Sequence, residues 1–206
     1  MTLTLIDYGS GNIRSVAKAL EAASGERVRV SANPKDVASA GRLVVPGQGA
    51  FGQCRAGLLA VEGLLEALNQ AVLHHRVPYL GICVGMQLMV DRGLEDGVHE
   101  GFGWIDGEVA PLAPQDPKLK IPHMGWNSLN LPDQPHPVLQ RAQGQDVYFC
   151  HSYAARQVAD PLAAVDYGGP VLAALGRENM IGVQFHPEKS QAVGLDLLAD
   201  FATWTP

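Results

Sequence analysis

The stretch VPYLGICVGMQLMVDRG, residues 77–93, decides how the chain is read. Residues 77–82 are apolar and short, the pattern of a buried strand. Residues 84–91, with Met86, Leu88, Met89 and Val90, have the apolar spacing of a helix. Between the two, Gly81-Ile82-Cys83-Val84-Gly85 sets one cysteine between two glycines. This is the G-x-C-x-G counterpart of the G-x-S-x-G turn, where side chains on the flanking residues would clash as strand turns into helix. The central side chain then stands at the carboxyl end of the strand. The amides that open the next helix favour an anion there, and the Val84 N–H can donate to an oxyanion. The stretch predicts a nucleophile, Cys83. The competing reading is a free cysteine packed as a small apolar side chain, the usual fate of that residue.

The same alternation continues on both sides. Residues 2–6 form an apolar strand that stops at DYGSGN, a turn-rich junction. Residues 13–23 then have helical spacing through Ile13, Val16, Ala17 and Leu20. Residues 27–30 alternate as a second strand, and NPKD (33–36) starts a short helix. Residues 43–45 read as a buried strand ending in PGQG (46–49). Residues 58–73 carry Leu58, Val61, Leu65, Leu68 and Val72 and predict one amphipathic helix. Strand and helix in turn predict an α/β protein with a doubly wound, mostly parallel sheet and helices on both faces. The second half differs. A strand at 104–109 precedes a proline-rich loop, APLAPQDPKLKIP (110–122). Short strands at 147–151, 163–167, 171–175 and 181–185, with turns such as YGGP, predict antiparallel strands added to the sheet. A final helix covers 194–204. With no repeat, low-complexity segment or linker, the chain reads as one domain, 1–206.

Composition narrows the function. The chain has 206 residues, 47% hydrophobic and 17% charged, with a net charge of −6. That is an ordinary globular balance. Lys and Arg do not cluster, so no nucleic-acid footprint is present. Three widely spaced cysteines, Cys54, Cys83 and Cys150, argue against a disulfide framework and for a reducing compartment. The opening MTLTLIDYGSG lacks the pattern of a signal peptide, and no apolar run is long enough to span a membrane. A cytoplasmic protein without membrane contact is expected. No histidine or cysteine pair has H-x-x-H, H-E-x-x-H or C-x-x-C spacing, so no metal site is expected.

A cysteine nucleophile needs a histidine base that is itself oriented by a third group. Of seven histidines, His74, His75, His99 and His136 fall at a helix end, in a polar loop or in a proline-bounded turn, and read as surface residues. His123, His151 and His186 adjoin apolar strand segments. His186 is the leading candidate. It sits in IGVQFHPEKS (181–190), and residues two apart in an extended segment point the same way. Glu188 can therefore accept from one ring nitrogen of His186 and leave the other for the thiol, with Pro187 stiffening the spacing. The alternative is a capped turn ahead of the last helix. Cys54 and Cys150 have no comparable setting and read as packing residues.

GICVGMQ (81–87), PGQGAF (46–51) and GVQFHPEKS (182–190) resemble the class I (triad) glutamine amidotransferases. IPHMGWN (121–127), YFCHSY (148–153) and IDYGSGNIRSV (6–16) narrow the likeness to the glutaminase subunits of imidazole glycerol phosphate synthases, of histidine biosynthesis. The likeness runs from Ile6 to Phe201, with the motifs in order. The resemblance implies a flavodoxin-like fold, no cofactor, and L-glutamine as substrate. Cys83 would attack the side-chain amide, His186 would carry the proton to the leaving ammonia, and Glu188 would orient His186. The backbone of Gly47, Gln48 and Gly49, with the Val84 N–H, would form the oxyanion hole. Gln87, Glu95, Ser152 and Tyr153 match positions that hold glutamine. An acidic group and polar donors suit a small zwitterion whose unpaired burial is costly.

The resemblance also implies a partner. Ammonia would pass to a cyclase subunit, a (β/α)8 barrel, in a heterodimer, and Asn12, Met124, Trp126 and Lys189 match positions that face it. Trp126 can also be read as core, but IPHMGWN looks loop-like, and an exposed Met/Trp pair suits an interface. Lys189, next to Glu188, would link docking to the site. One departure stands out: the family's Pro-Gly-Val-Gly is here Pro46-Gly47-Gln48-Gly49. A glutamine side chain there is expected to hydrogen-bond to its surroundings and shift the balance of loop orientations. Alternatives are the glutaminase of another complex, such as pyridoxal phosphate synthase, a cysteine hydrolase on the same elbow, or a subunit without catalysis.

Overall fold

The computed structural model describes residues 2–159 and 161–206. In chain order the first half runs β1 (Leu3–Ile6), α1 (Ile13–Ser24), β2 (Arg29–Ser31), α2 (Pro34–Ala38), β3 (Arg42–Val45), α3 (Phe51–Leu59) and α4 (Leu64–Asn69). A π-helical turn, Gln70–His74, leads into β4 (Tyr79–Ile82) and α5 (Val84–Gln87). The second half adds β5 (Val90–Gly93), β6 (His99–Glu100), β7 (Ile105–Pro111), β8 (His123–Ser128), β9 (Asp146–His151) and β10 (Tyr153–Arg156). β11 (Ala163–Asp166), β12 (Pro170–Arg177), β13 (Met180–Val183) and α6 (Gln191–Thr203) complete it.

The main sheet has seven strands in the order β11-β12-β13-β4-β3-β1-β2. From β13 to β2 every pair is parallel, and β11 and β12 extend it antiparallel. Every residue of β1, β3, β4 and β13 is buried. Successive strand residues point to opposite faces, so both faces are covered, as a parallel sheet requires. α1 packs with α6, and α2 with α4. The mixed α/β fold agrees with the sequence reading.

Several elements differ from expectation. The helix read at 58–73 is two helices, Phe51–Leu59 and Leu64–His74, bent by 98°. Gly63, at φ 75°, breaks the run and starts α4, while Leu64, Leu68 and Val72 keep a buried stripe. The helix read at 84–91 lasts one turn, and β5 begins at Val90. All residues from 79 to 90 are buried, so no polar face marked where the helix ended. The added strands do not all join one sheet. β10-β7-β5-β6 form a second sheet and β8-β9 a separate antiparallel pair. IPHMGWN is thus mostly strand β8, not a loop. Among the described residues, no single helix is long and apolar enough to cross a membrane.

Candidate active site

The elbow is sterically forced. Cys83 has φ 54° and ψ −111°, a conformation that an L-residue keeps only under constraint. A Cβ on Gly81 would lie 2.5 Å from the Gly85 carbonyl oxygen, and one on Gly85 would lie 1.9 Å from the Val45 oxygen. The Cys83 N–H donates to the Val183 carbonyl (2.8 Å), which ties the elbow to β13. Val84 opens α5, so its N–H has no intrahelical partner.

β13 also delivers the base. The chain leaves it through Gln184 and Phe185 to His186, which precedes a 3-10 turn at Pro187–Lys189. One backbone bond and the Ser190 hydroxyl fasten this turn to β9. The His186 N–H donates to the Tyr148 carbonyl (2.9 Å), and Ser190 Oγ accepts from the Tyr148 N–H (3.0 Å) while donating to the His186 carbonyl (2.7 Å). His186 Nδ1 lies 2.9 Å from Glu188 Oε1. Glu188 Oε2 is buried without a hydrogen-bond partner. Burial alone would lower the His186 pKa; the hydrogen-bonded Glu188 and the neighbouring Cys83 outweigh it and raise it to about 9. A thiol, an imidazole and a carboxylate therefore stand in series.

The cleft beside Cys83 holds about 350 Å³ and is lined by Gln48, Gly49, Val84, Gln87, Glu95, Pro122, Cys150, Ser152, Tyr153 and both His151 and His186. Gly47 does not line it but packs on the elbow, so close that a Cβ would sit 2.7 Å from Val84 Cβ. Glu95 Oε2 accepts from the Phe51 N–H (2.7 Å), which caps α3 and holds the carboxylate at the cleft wall. The Gln87 amide donates to the Tyr153 carbonyl and to Gln184 Oε1, both at 3.0 Å. Gln184, fully buried, in turn places its Nε2 3.6 Å from Cys83 Sγ. Gln184 belongs to none of the roles expected from the sequence. The only signal was its place two residues before His186, on the same side of an extended segment.

The loop after β3, residues 46–49, is held from its other flank. Tyr8 Oη donates to the Pro46 carbonyl (2.6 Å), and Ser10 Oγ donates to the Gln48 carbonyl (2.7 Å) and accepts from the Gln48 N–H (3.5 Å). Cys54 Sγ lies 3.1 Å from Ser10 Oγ, and burial pushes its thiol pKa up. Contrary to expectation, these bonds at Gln48 run through its backbone rather than its side chain. Cys54 is indeed buried, whereas Cys150 lines the cleft.

Met124 (60% exposed) and Trp126 (48%) project from one side of β8. They pair with Cys150 and Tyr148 of β9. The Trp126 and Tyr148 rings meet edge to face at 5.9 Å, and Lys189 Nζ lies 5.6 Å over the Tyr148 ring. Asn12 is engaged as the N-cap of α1, accepting from the Ser15 N–H. Among the described residues no three of His, Cys, Asp and Glu converge as metal ligands. A second depression of about 250 Å³, between 110–115 and 167–172, has no cysteine, histidine or carboxylate in its wall.

The elbow thiol with its imidazole and carboxylate defines a cysteine-dependent amide- or ester-cleaving class on an open α/β sheet. The family profile of class-I glutamine amidotransferases matches residues 4–203, and the chain belongs to that family. Two relatives are named imidazole glycerol phosphate synthase subunit HisH. The one from Rhodospirillum rubrum is 53% identical, covering all of both chains. The one from Zymomonas mobilis is 51% identical, over 100% of this chain and 97% of its own. Among solved structures, one described as a glutamine amidotransferase superposes with TM-score 0.73 at 14% identity, covering 97% of this chain and 98% of its own. The glutaminase domain of Trypanosoma brucei CTPS superposes with TM-score 0.64 at 15% identity, covering 100% and 96%. At such identities these two bear on the fold alone.

Proposed function

We propose that the chain is the glutaminase subunit of an imidazole glycerol phosphate synthase, folded as one amidotransferase domain over 1–206. The observation that carries the reading is the 2.9 Å bond between His186 Nδ1 and Glu188 Oε1 behind an elbow cysteine. Cys83 Sγ attacks the carboxamide carbon of glutamine. Val84 N–H receives the developing oxyanion, joined by the backbone of Gly47, Gln48 and Gly49 once the Gln48 N–H turns from Ser10 Oγ toward the cleft. His186 protonates the departing ammonia, a γ-glutamyl thioester remains, and water activated by His186 releases glutamate. Glu188 holds the imidazole in the tautomer that serves the thiol. Gln87, Glu95, Ser152 and Tyr153 bind the zwitterion.

The relatives' names imply a partner subunit. We take it to be a cyclase, a (β/α)8 barrel that consumes the ammonia, docked on Met124, Trp126 and Lys189, with Asn12 at the edge of that face. These names favour this reading over the glutaminase of pyridoxal phosphate synthase. Free thiols at Cys54, Cys83 and Cys150 suit the reducing cytoplasm. The test is glutamate release from glutamine by the chain alone, then with a cyclase subunit and its nucleotide ligand, with Cys83→Ala as blank. Strong stimulation, lost in the variant, is the expected result. High activity indifferent to the cyclase keeps the triad and rejects the partner.

A further inference from the structure

From His151 in the cleft wall, a run of buried side chains that this chemistry does not use leads away from the cleft. His123 and His151 face each other across the β8–β9 pair, 2% and 6% exposed, with His123 Nδ1 3.1 Å from His151 Nε2. His151 Nδ1 lies 2.9 Å from the Tyr153 carbonyl oxygen, and Asn127 Nδ2 lies 3.4 Å from His123 Nε2. The direction of each link follows from chemistry. A carbonyl only accepts, so His151 carries its proton on Nδ1. Burial lowers both histidine pKa values to about 4, so each ring is neutral at pH 7 with one proton. His151 Nε2 must then accept, His123 must donate from Nδ1, and His123 Nε2 accepts from Asn127. The Asn127 amide is itself oriented, with Nδ2 donating to the Asp166 carbonyl (2.9 Å) and Oδ1 accepting from the Ser128 N–H (2.9 Å).

The run begins at the cleft. The Tyr153 carbonyl takes a second donor, Gln87 Nε2, whose other hydrogen goes to Gln184 Oε1. Both amide hydrogens of Gln87 are thereby used, and Oε1 is the polar atom it has left for the cleft it lines. An acceptor at that point suits the N–H groups of a glutamine. A flipped amide would set donors against donors.

We propose that His123 and His151 are positioning residues for substrate binding: their relay holds the Tyr153 carbonyl, and through it the Gln87 amide, in the orientation that offers Gln87 Oε1 to glutamine. The proposal rests on the glutaminase reading and adds residues to it. The rings also pack well, since His123 stacks between Phe149 (4.7 Å) and Tyr167 (3.9 Å), so the test must separate hydrogen bonding from packing. His123→Phe keeps the stack and removes the donor, and His151→Phe removes both links. His151→Asn restores a donor near the Nδ1 position.

Glutaminase kinetics of the complex with the cyclase subunit read the result, with thermal melting to show that each variant is folded. In His151→Phe the glutamine KM rises about tenfold, the loss of about one hydrogen bond, with kcat within about threefold of wild type. His123→Phe raises KM about threefold, because the freed His151 can move its proton to Nε2. His151→Asn recovers most of the affinity. A folded His123→Phe and His151→Phe with unchanged KM, or with kcat lost at unchanged KM, overturns the proposal while leaving the glutaminase reading intact. A wild-type complex that neither binds nor hydrolyses glutamine overturns both. If His151→Phe does not fold, His123→Phe decides the matter alone.

Discussion

Cys83 sits in a backbone conformation that glycine adopts freely and other residues resist. Such strain costs about 1–3 kcal/mol. Cys83→Gly should therefore abolish glutamate release and raise the unfolding free energy by about 1 kcal/mol, after the entropy cost of glycine in the unfolded chain. Chemical denaturation measures it, and a loss of stability would mean the elbow is relaxed. His186 supplies a pH signature. Its folded pKa of about 9 lies above the unfolded value near 6.5. Its contribution is complete below pH 6.5 and is lost as pH rises toward 9. His123 and His151 act oppositely. Their folded values near 4 make them stabilising above pH 6.5, with the benefit lost as pH falls toward 4. Stability should peak near pH 6.5. In denaturant titrations across pH, His186→Asn should flatten the alkaline slope and His123→Phe the acid slope. An alkaline slope unchanged in His186→Asn would rule out His186 as its source.

At the scale of elements, the site is made where the ends of parallel strands meet. β3 lies between β4 and β1, so the loop after β3 has the elbow on one flank and Tyr8 and Ser10 on the other. The Gln48 N–H directed at Ser10 Oγ therefore points away from Cys83. Ser10→Ala frees that donor to turn toward the cleft, and the isolated chain should release glutamate severalfold faster. An unchanged rate would show that the bond does not restrain the loop. The crossing of the elbow over β3 leaves no tolerance. Gly85→Ala drives a methyl into the Val45 carbonyl and should cost more than about 3 kcal/mol, read as loss of cooperative melting. The element boundaries also show what patterning can carry. α1 reads clearly from its spacing because one face is wet. α5 and β5 do not, because residues 79–90 are buried on every side.

Across the whole molecule, the cleft joins the main sheet to the β8–β9 pair. β8 turns Met124 and Trp126 outward and His123 and Asn127 inward, so one strand carries the exposed apolar face and the backing of the cleft. A large aromatic in such a patch is where interface energy concentrates. Trp126→Ala should weaken binding to the cyclase subunit by about 2 kcal/mol, some thirtyfold, with melting unchanged. Calorimetric titration of the two subunits checks this, and equal affinity would move the docking face elsewhere.

What the sequence alone determined is local. Gly81, Cys83 and Gly85 specify the elbow because the clashes they avoid lie within four residues or against the neighbouring strand. His186 and Glu188 specify a hydrogen-bonded pair because two residues of extended chain bring their side chains together. The tertiary structure decided the rest. Cys150 and His151 enter the cleft from β9, Gln87 finds Gln184 across 97 residues, and His123 finds His151 across 28. Those contacts depend on strand order and register. No spacing within the chain encodes them until the sheet has formed.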